Sequence, residues 1–330
     1  MKEKILETIK KYNMIENGEK VVLAVSGGPD SICMLDILND IKNDETIDIN
    51  FEIVVAHVNH MIRKEAQEDE KYVKKYCEEK QIEFYSKSID VQKMANNNKI
   101  GVEEAGRKAR YDFFDEILER TNAQKIAIAH NKNDKVETVL MHILRGSGIN
   151  GLKGIEAKRG KYIRPLIEFE RSEIEEYCSK KNLQPRIDKT NFENEYTRNK
   201  VRNLLIPYIQ KEFNPNLIQT IDRLSNLVAE EEKYMDKQVE KVYKEMLISE
   251  SENEIQLRLK TFNIQEKVIK SRIILYTITR LFGNSKGLEK IHIEDIIKLC
   301  SNNIGNKYLT PNKNIKILIK NHKIYFMSQV

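Results

Sequence analysis

No Cys-x-x-Cys pair occurs in these 330 residues, and the four cysteines, Cys33, Cys77, Cys178 and Cys300, stand far apart in the chain. A zinc ribbon, an iron–sulfur cluster on closely spaced thiolates and a vicinal redox pair are therefore not expected, and reduced thiols are the default. Long apolar runs are missing too. None nears the roughly 18 residues of a membrane span, and Met1-Lys2-Glu3-Lys4-Ile5 opens no apolar core of signal-peptide length. The expectation is a soluble, cytoplasmic protein with no membrane partner. Excess charge of one sign is also lacking, since 56 Lys+Arg against 51 Asp+Glu leaves a net +5. That excludes a histone-like chain and still permits a local basic face for nucleic acid. There is no internal repeat, and Asn96-Asn97-Asn98 is the only low-complexity touch. The length suggests two domains.

What the chain does have is Ser26-Gly27-Gly28-Pro29-Asp30-Ser31, set between the apolar run Val21–Val25 and a helical pattern through Ile32, Leu35 and Leu38. Strand, glycine turn and helix start together suit a phosphate. Glycines admit backbone conformations that a β-carbon blocks, and the free N–H groups of the helix start point at the anion. Ser26 and Ser31 offer further hydroxyl donors. Asp30 fits an anion site only if a cation is present, which points to nucleotide phosphates with Mg²⁺ and makes Asp30 the candidate metal ligand. The same residues would also serve as an ordinary turn. No Gly-Lys-Ser/Thr follows, so this is not a Walker A loop, and the glycine spacing is not that of a dinucleotide fingerprint.

Four apolar runs, Val21–Val25, Phe51–Val58, Ile82–Ser86 and Lys125–His130, alternate with helical stretches Ser31–Ile41, Lys64–Lys80, Val102–Arg120 and Asp134–Leu144. Alternating strands and helices, with strands apolar on both faces, indicate a parallel sheet covered on two sides. Ligands of such sheets bind beyond the carboxyl ends of the strands. Three polar clusters lie there: the Gly-Gly loop, His57-Val58-Asn59-His60, and His130 through Asp134. A fifth strand is expected at Lys161–Arg164, followed by a helix near Arg171–Lys181. Beyond Phe213-Asn214-Pro215 the pattern is helical and charged to about Glu245. Further helices are expected at Gln265–Phe282 and Ile293–Leu299, then strands Lys313–Lys320 and Lys323–Met327 turning at Asn321-His322. The expected domains are residues 1–213 and 214–330.

Asp134 and Glu137 stand three apart at a helix start and share one face. Two acids there also simply complement the helix dipole; functionally they could hold Mg²⁺ or a substrate ammonium. Arg107, Arg110 and Tyr111 share another helix face, as a solvated charged surface or as arginine forks on phosphate oxygens. Thr197 is the expected cap of a helix that carries Arg198 and Arg202 four apart, a basic start suited to RNA or pyrophosphate.

The hexapeptide resembles the pyrophosphate loop of ATP pyrophosphatases of the adenine-nucleotide α-hydrolase type. Taken in order, Ser26–Ser31, His57–Arg63, Glu104–Tyr111, Ala129–Thr138, Leu144–Gly148, Arg164-Pro165-Leu166 and Asp188–Pro207 resemble the tRNA(Ile)-lysidine synthetases more narrowly. The chain departs from that family's pattern at Asn131, Asn133 and Lys135, where His, Asp and Gln are usual. Many members carry a further carboxyl-terminal domain; whether this sequence is a natural short form or a piece stays open.

The resemblance implies an α/β fold with a Rossmann-like parallel sheet, followed by a mostly helical accessory, tRNA-binding domain with a small terminal hairpin. It implies ATP as substrate with Mg²⁺, and an isoleucine tRNA with a CAU anticodon and free lysine as partners. Homodimer formation stays open. The wobble cytidine would be adenylated and then attacked by lysine. Ser26, Gly27, Gly28, Pro29, Asp30, Ser31 and His57 are then expected at ATP, and Arg107 and Arg110 at its phosphates. Asp134 and Glu137 are expected at the lysine ammonium, and Arg198 and Arg202 at RNA or intermediate phosphates. The rivals are a tRNA cytidine thiolase of the same fold, disfavoured by the scattered cysteines, and a nucleotide- or RNA-binding protein without catalysis.

Overall fold

Strand β1 (Glu19–Ala24) is apolar on both faces because it is buried on both. Val21 and Leu23 point into one layer with Ile5 and Ile9 of α1 (Lys2–Lys11) and Ile32 and Leu35 of α2 (Pro29–Lys42). Val22 points the other way, onto Phe113, Phe114 and Ile117 of α3 (Val102–Arg120). This period-two division of one apolar run between two helical layers is what a doubly covered sheet requires.

The computed structural model describes residues 1–61, 66–186, 193, 196–284, 287–302 and 307–329. The expectations placed on Ile62, Arg63 and Asp188–Asn191 lie outside these. The chain divides into two compact units, Met1–Val228 and Ala229–Val330. In the first, β1 is flanked by β2 (Phe51–Asn59) and β4 (Lys125–Ile128), both parallel to it. Beyond them come β3 (Glu83–Ser88) on β2, β6 (Tyr162–Ile163) parallel to β4, and the short antiparallel β5 (Lys158–Arg159) at the edge. The order β3-β2-β1-β4-β6-β5 reverses direction between β1 and β4. At that switch point two loops diverge and leave a crevice. One is the Ser26–Ser31 loop after β1, the other His130-Asn131 after β4, which leads into α4 (Lys132–Leu144).

Three more segments close on this crevice. They are α5 (Arg171–Lys180), the short α6 (Thr197–Lys200) and the π-helical turn Val201–Leu205 that continues it. Thr197 is the first residue of α6, with Tyr196 before it and no side-chain cap bond, so its expected capping role is not met. Val136, Leu140, Val201, Ile206, Leu217 and Ile218 pack together, which holds the start of α7 (Leu217–Met246) in the first unit.

The second unit carries five antiparallel strands, in the order β7 (Leu247–Glu250), β8 (Glu254–Arg258), β11 (Lys323–Ser328), β10 (Ile315–Lys320), β9 (Lys307–Asn312). The expected hairpin is β10–β11, with Asn321 and His322 both at positive φ, as a tight two-residue turn demands. Ile255, Leu257, Ile317 and Phe326 pack with Ile273, Ile274 and Ile278 of the helix Lys267–Phe282.

Candidate active site

The Ser26–Ser31 loop is organised by one buried hydroxyl. Ser31 Oγ accepts from the backbone N–H of Ser26 (3.1 Å) and Gly27 (3.2 Å) and donates to the carbonyl of Gly28 (3.0 Å). Gly27 has φ +94°, which only glycine adopts without strain. Gly28 caps α2, and Pro29 fills the first turn, where no N–H is needed. Ser26, Gly28, Pro29, Asp30 and Ser31 line a cavity of about 1640 Å³, into which His57, Arg107, Arg110, Tyr111, His130, Arg171, Arg198 and Arg202 also turn. Gly27 shapes the loop without facing the cavity.

Asp30 accepts from Asn131 Nδ2 at 3.0 Å. Burial, and then the charge of Asp134, push its carboxyl up to about 6. Asn131 does double duty. Its Oδ1 accepts from Asp134 N (3.0 Å) while Asp134 Oδ2 accepts from Asn131 N (3.1 Å), a reciprocal cap that starts α4. Asn133 Oδ1 accepts from Arg171 N at 3.0 Å, and Lys135 Nζ reaches Asp222 (2.8 Å) and Asn226 (2.6 Å) on α7. The three departures from the family pattern thus carry structural bonds around the acids.

Glu137, 1% exposed, lies in a bidentate fork with Arg202: Nε to Oε1 at 2.6 Å and Nη2 to Oε2 at 2.8 Å. The same Nη2 reaches Asp134 Oδ1 at 3.1 Å. Arg171 Nη2 stands 3.6 Å from Asp134 and 3.5 Å from Glu137, and Arg198 Nε 3.5 Å from Glu137. Arg198 Nη2 donates to Thr138 Oγ1 at 2.9 Å. Two acids assigned from sequence to an ammonium and two arginines assigned to phosphates therefore meet one another, joined by Arg171, which sequence reasoning passed over. Burial lowers the Arg202 pKa, but the hydrogen bond and charge of Glu137 outweigh it and the net shift is upward. Arg202 sits in the π-helical turn, a geometry that recurs at functional sites.

Among the histidines that line the cavity, His57 and His130 are held in opposite tautomers. His57 Nδ1 stands 2.8 Å from the Val25 carbonyl, which can only accept, so Nδ1 carries the proton and Nε2 is an acceptor. His130 Nδ1 takes a hydrogen bond from Arg164 Nε at 3.0 Å, so its proton is on Nε2. Burial lowers both pKa values and so favours the neutral rings. On α3, Arg107 lies 5.3 Å above the Tyr111 ring, and burial lowers the Arg110 pKa. Behind the loop, Cys178 Sγ donates to the Pro29 carbonyl at 3.7 Å, and Cys33 lies buried in the same core as Cys178, a proximity that sequence spacing could not show.

The model of the PP-loop domain family matches residues 1–209. The tRNA(Ile)-lysidine synthase of Clostridioides difficile is 44% identical over 329 residues, 99% of this chain and 70% of that protein. The chain belongs to the tRNA(Ile)-lysidine synthase family. The enzymes of that name from Clostridium tetani and Clostridium acetobutylicum are 46% and 47% identical, over 95% and 93% of this chain. The chain spans 66% of the length of each of these two, about two thirds of the family protein. Among solved structures, the U34-tRNA thiolase NcsA from Methanococcus maripaludis shares the fold, with a TM-score of 0.57 over 69% of this chain and 77% of that one, at 20% identity.

Proposed function

We propose that this chain ligates free lysine to the wobble cytidine of an isoleucine tRNA with a CAU anticodon, at the expense of ATP, in the cytoplasm. The observation that carries the reading is one cavity in which the Ser26–Ser31 loop faces Arg171, Arg198 and Arg202, the arginines paired with the buried Asp134 and Glu137, across the sheet's switch point. A volume of about 1640 Å³ exceeds the roughly 300–1,000 Å³ of a single small-molecule site. Three reactants need that room.

In the first step the cytosine 2-oxo oxygen bonds to the α-phosphorus of ATP. The bond from that phosphorus to the bridging oxygen breaks, and pyrophosphate leaves. The loop amides and Ser26 receive the leaving charge at the start of α2, and Arg107 and Arg110 neutralise the phosphates. Nucleotide binding would draw the loop N–H groups from Ser31 Oγ toward phosphate oxygen. Asp30 fits Mg²⁺: it is a buried carboxylate beside that loop, held on one oxygen by Asn131. Bound there, the ion would neutralise phosphate oxygens.

In the second step the lysine ε-amine attacks C2 of the adenylated base, the C2–O bond breaks and AMP leaves. Asp134 and Glu137 hold the ammonium, and one carboxylate takes the proton that makes it nucleophilic. Arg198 and Arg202 must exchange carboxylate for phosphate as this happens. That exchange lets the arrival of a nucleotide uncover the lysine site. The accessory region, residues 214–330, adds tRNA-binding surface.

A tRNA thiolase is not favoured, because the curated relatives at 40–47% identity carry the lysidine name. No described helix is long and apolar enough to cross a membrane. The test uses ATP labelled in its α-phosphate. Label should pass to unmodified isoleucine tRNA without lysine and be discharged as AMP when lysine is added. A label that never reaches the tRNA, or that lysine does not discharge, contradicts the proposal.

A further inference from the structure

Arg164 follows β6 directly and is buried, yet it stands apart from the residues that line the cavity. Sheet register brings it to His130. The last paired residues of β4 and β6 are Ala127 and Ile163, so Arg164 comes one residue past the pairing and His130 three. The turn after β4, closed by His130 N to the Ile128 carbonyl at 2.9 Å, folds the imidazole back toward the guanidinium. Arg164 is itself fixed. Its Nη1 donates to the Glu156 carbonyl at 2.6 Å and its backbone N–H to the Ala157 carbonyl at 2.9 Å.

A guanidinium has no acceptor and does not give up its proton. The nitrogen that faces Arg164 Nε at 3.0 Å must therefore present a lone pair. Of the two neutral tautomers and the imidazolium, only the Nε2–H form does so at Nδ1. The charged groups that act on the ring work in the same direction on balance. Asp134 on α4 favours the cation, while Arg164, Arg110 on α3 and Arg198 on α6 oppose it, together with burial. His130 is thus neither a base at Nδ1 nor a cation.

We propose that Arg164 is a positioning residue that locks His130 as the Nε2–H tautomer, so that the imidazole offers the cavity one fixed N–H donor for an oxygen of the bound nucleotide or of the base it activates. This rests on the nucleotide reading above. His57 provides the opposite tautomer across the same cavity, an acceptor at Nε2, so the two rings supply complementary hydrogen-bonding groups from neutral side chains.

The test is nitrogen-15 NMR of the full chain labelled at histidine, with His130 assigned by its loss in H130N. At pH 7 the wild-type signal should show Nδ1 unprotonated and Nε2 protonated. In R164M the tautomers should mix. kcat for tRNA adenylation should fall about 10- to 100-fold, as when a partner that orients a functional imidazole is removed, while KM for ATP stays within about twofold. R164K, which keeps a donor, should regain part of the rate. A protonated Nδ1 in the wild type overturns the assignment even if R164M fails to fold. So does an R164M protein with unchanged tautomer and unchanged kcat. The spectrum needs neither tRNA nor lysine, so failure of the ligation reading is distinguishable from failure of this one.

Discussion

Asp30 is held at a cost to the fold that its chemistry requires. Its carboxyl titrates near 6 in the folded chain and near 4 when unfolded, so the folded state binds the proton more tightly. Ionising it then opposes folding. The penalty is absent below about pH 4, grows between 4 and 6, and is complete above 6, at about 2–3 kcal/mol. Asp30→Asn keeps the bond to Asn131 and removes the charge. Without ligands, that variant should melt higher than the parent at pH 7.5 and converge with it at pH 4, as thermal unfolding at the two pH values would show. Its adenylation should be lost. Neutralising Glu137 by substitution should destabilise instead, because it removes ion pairs already made. Glu137→Gln leaves Arg202 buried with half its fork unpaired and should destabilise by about 3 kcal/mol in urea unfolding. Asp30, Asp134 and Glu137 were readable from motif and helix spacing. The pairing of Asp134 and Glu137 with Arg171, Arg198 and Arg202 was not, because it depends on helices about 30 to 70 residues away meeting at the sheet's switch point. Asn131 and Lys135 show the same limit: their bonds to Asp30 and Asp222 span about 90 to 100 positions.

Elements built on apolar pattern were legible, and those carried by tertiary contacts were not. β1, β2 and β4 stood out because burial on both faces makes them continuously apolar. β8, Glu254–Arg258, escaped notice because only Ile255 and Leu257 turn inward between polar and charged neighbours. α1 was missed although Ile5 and Ile9, four apart and both fully buried, mark a helical stripe among lysines and glutamates. The glycine loop was found from its spacing, and its tolerance to change can be stated from geometry. A β-carbon at Gly27 would meet nothing closer than 3.5 Å, so space does not forbid alanine, but φ +94° does. Gly27→Ala should therefore cost about 1–2 kcal/mol of stability through the backbone alone. It should weaken ATP binding more than tenfold, since a relaxed loop no longer points its amides inward. Calorimetric titration with ATP checks this; unchanged affinity would mean that the loop does not hold the phosphates.

At the scale of the molecule, two units with separate cores share one chain, and the described cavity belongs wholly to the first. ATP with Mg²⁺ should therefore slow amide exchange at Ser26–Ser31, at His57 and in the first turn of α4. It should leave the strands that carry Ile255, Ile317 and Phe326 unchanged. Hydrogen-exchange mass spectrometry resolves the two regions. Protection confined to the second unit would place the nucleotide elsewhere. The central claim is that one cavity both activates cytidine and delivers lysine to it. Transfer of labelled lysine to an unmodified isoleucine tRNA transcript tests that most directly. The account predicts incorporation that requires ATP and disappears when the wobble cytidine is replaced. Adenylated tRNA that accumulates and is never discharged by lysine would contradict it.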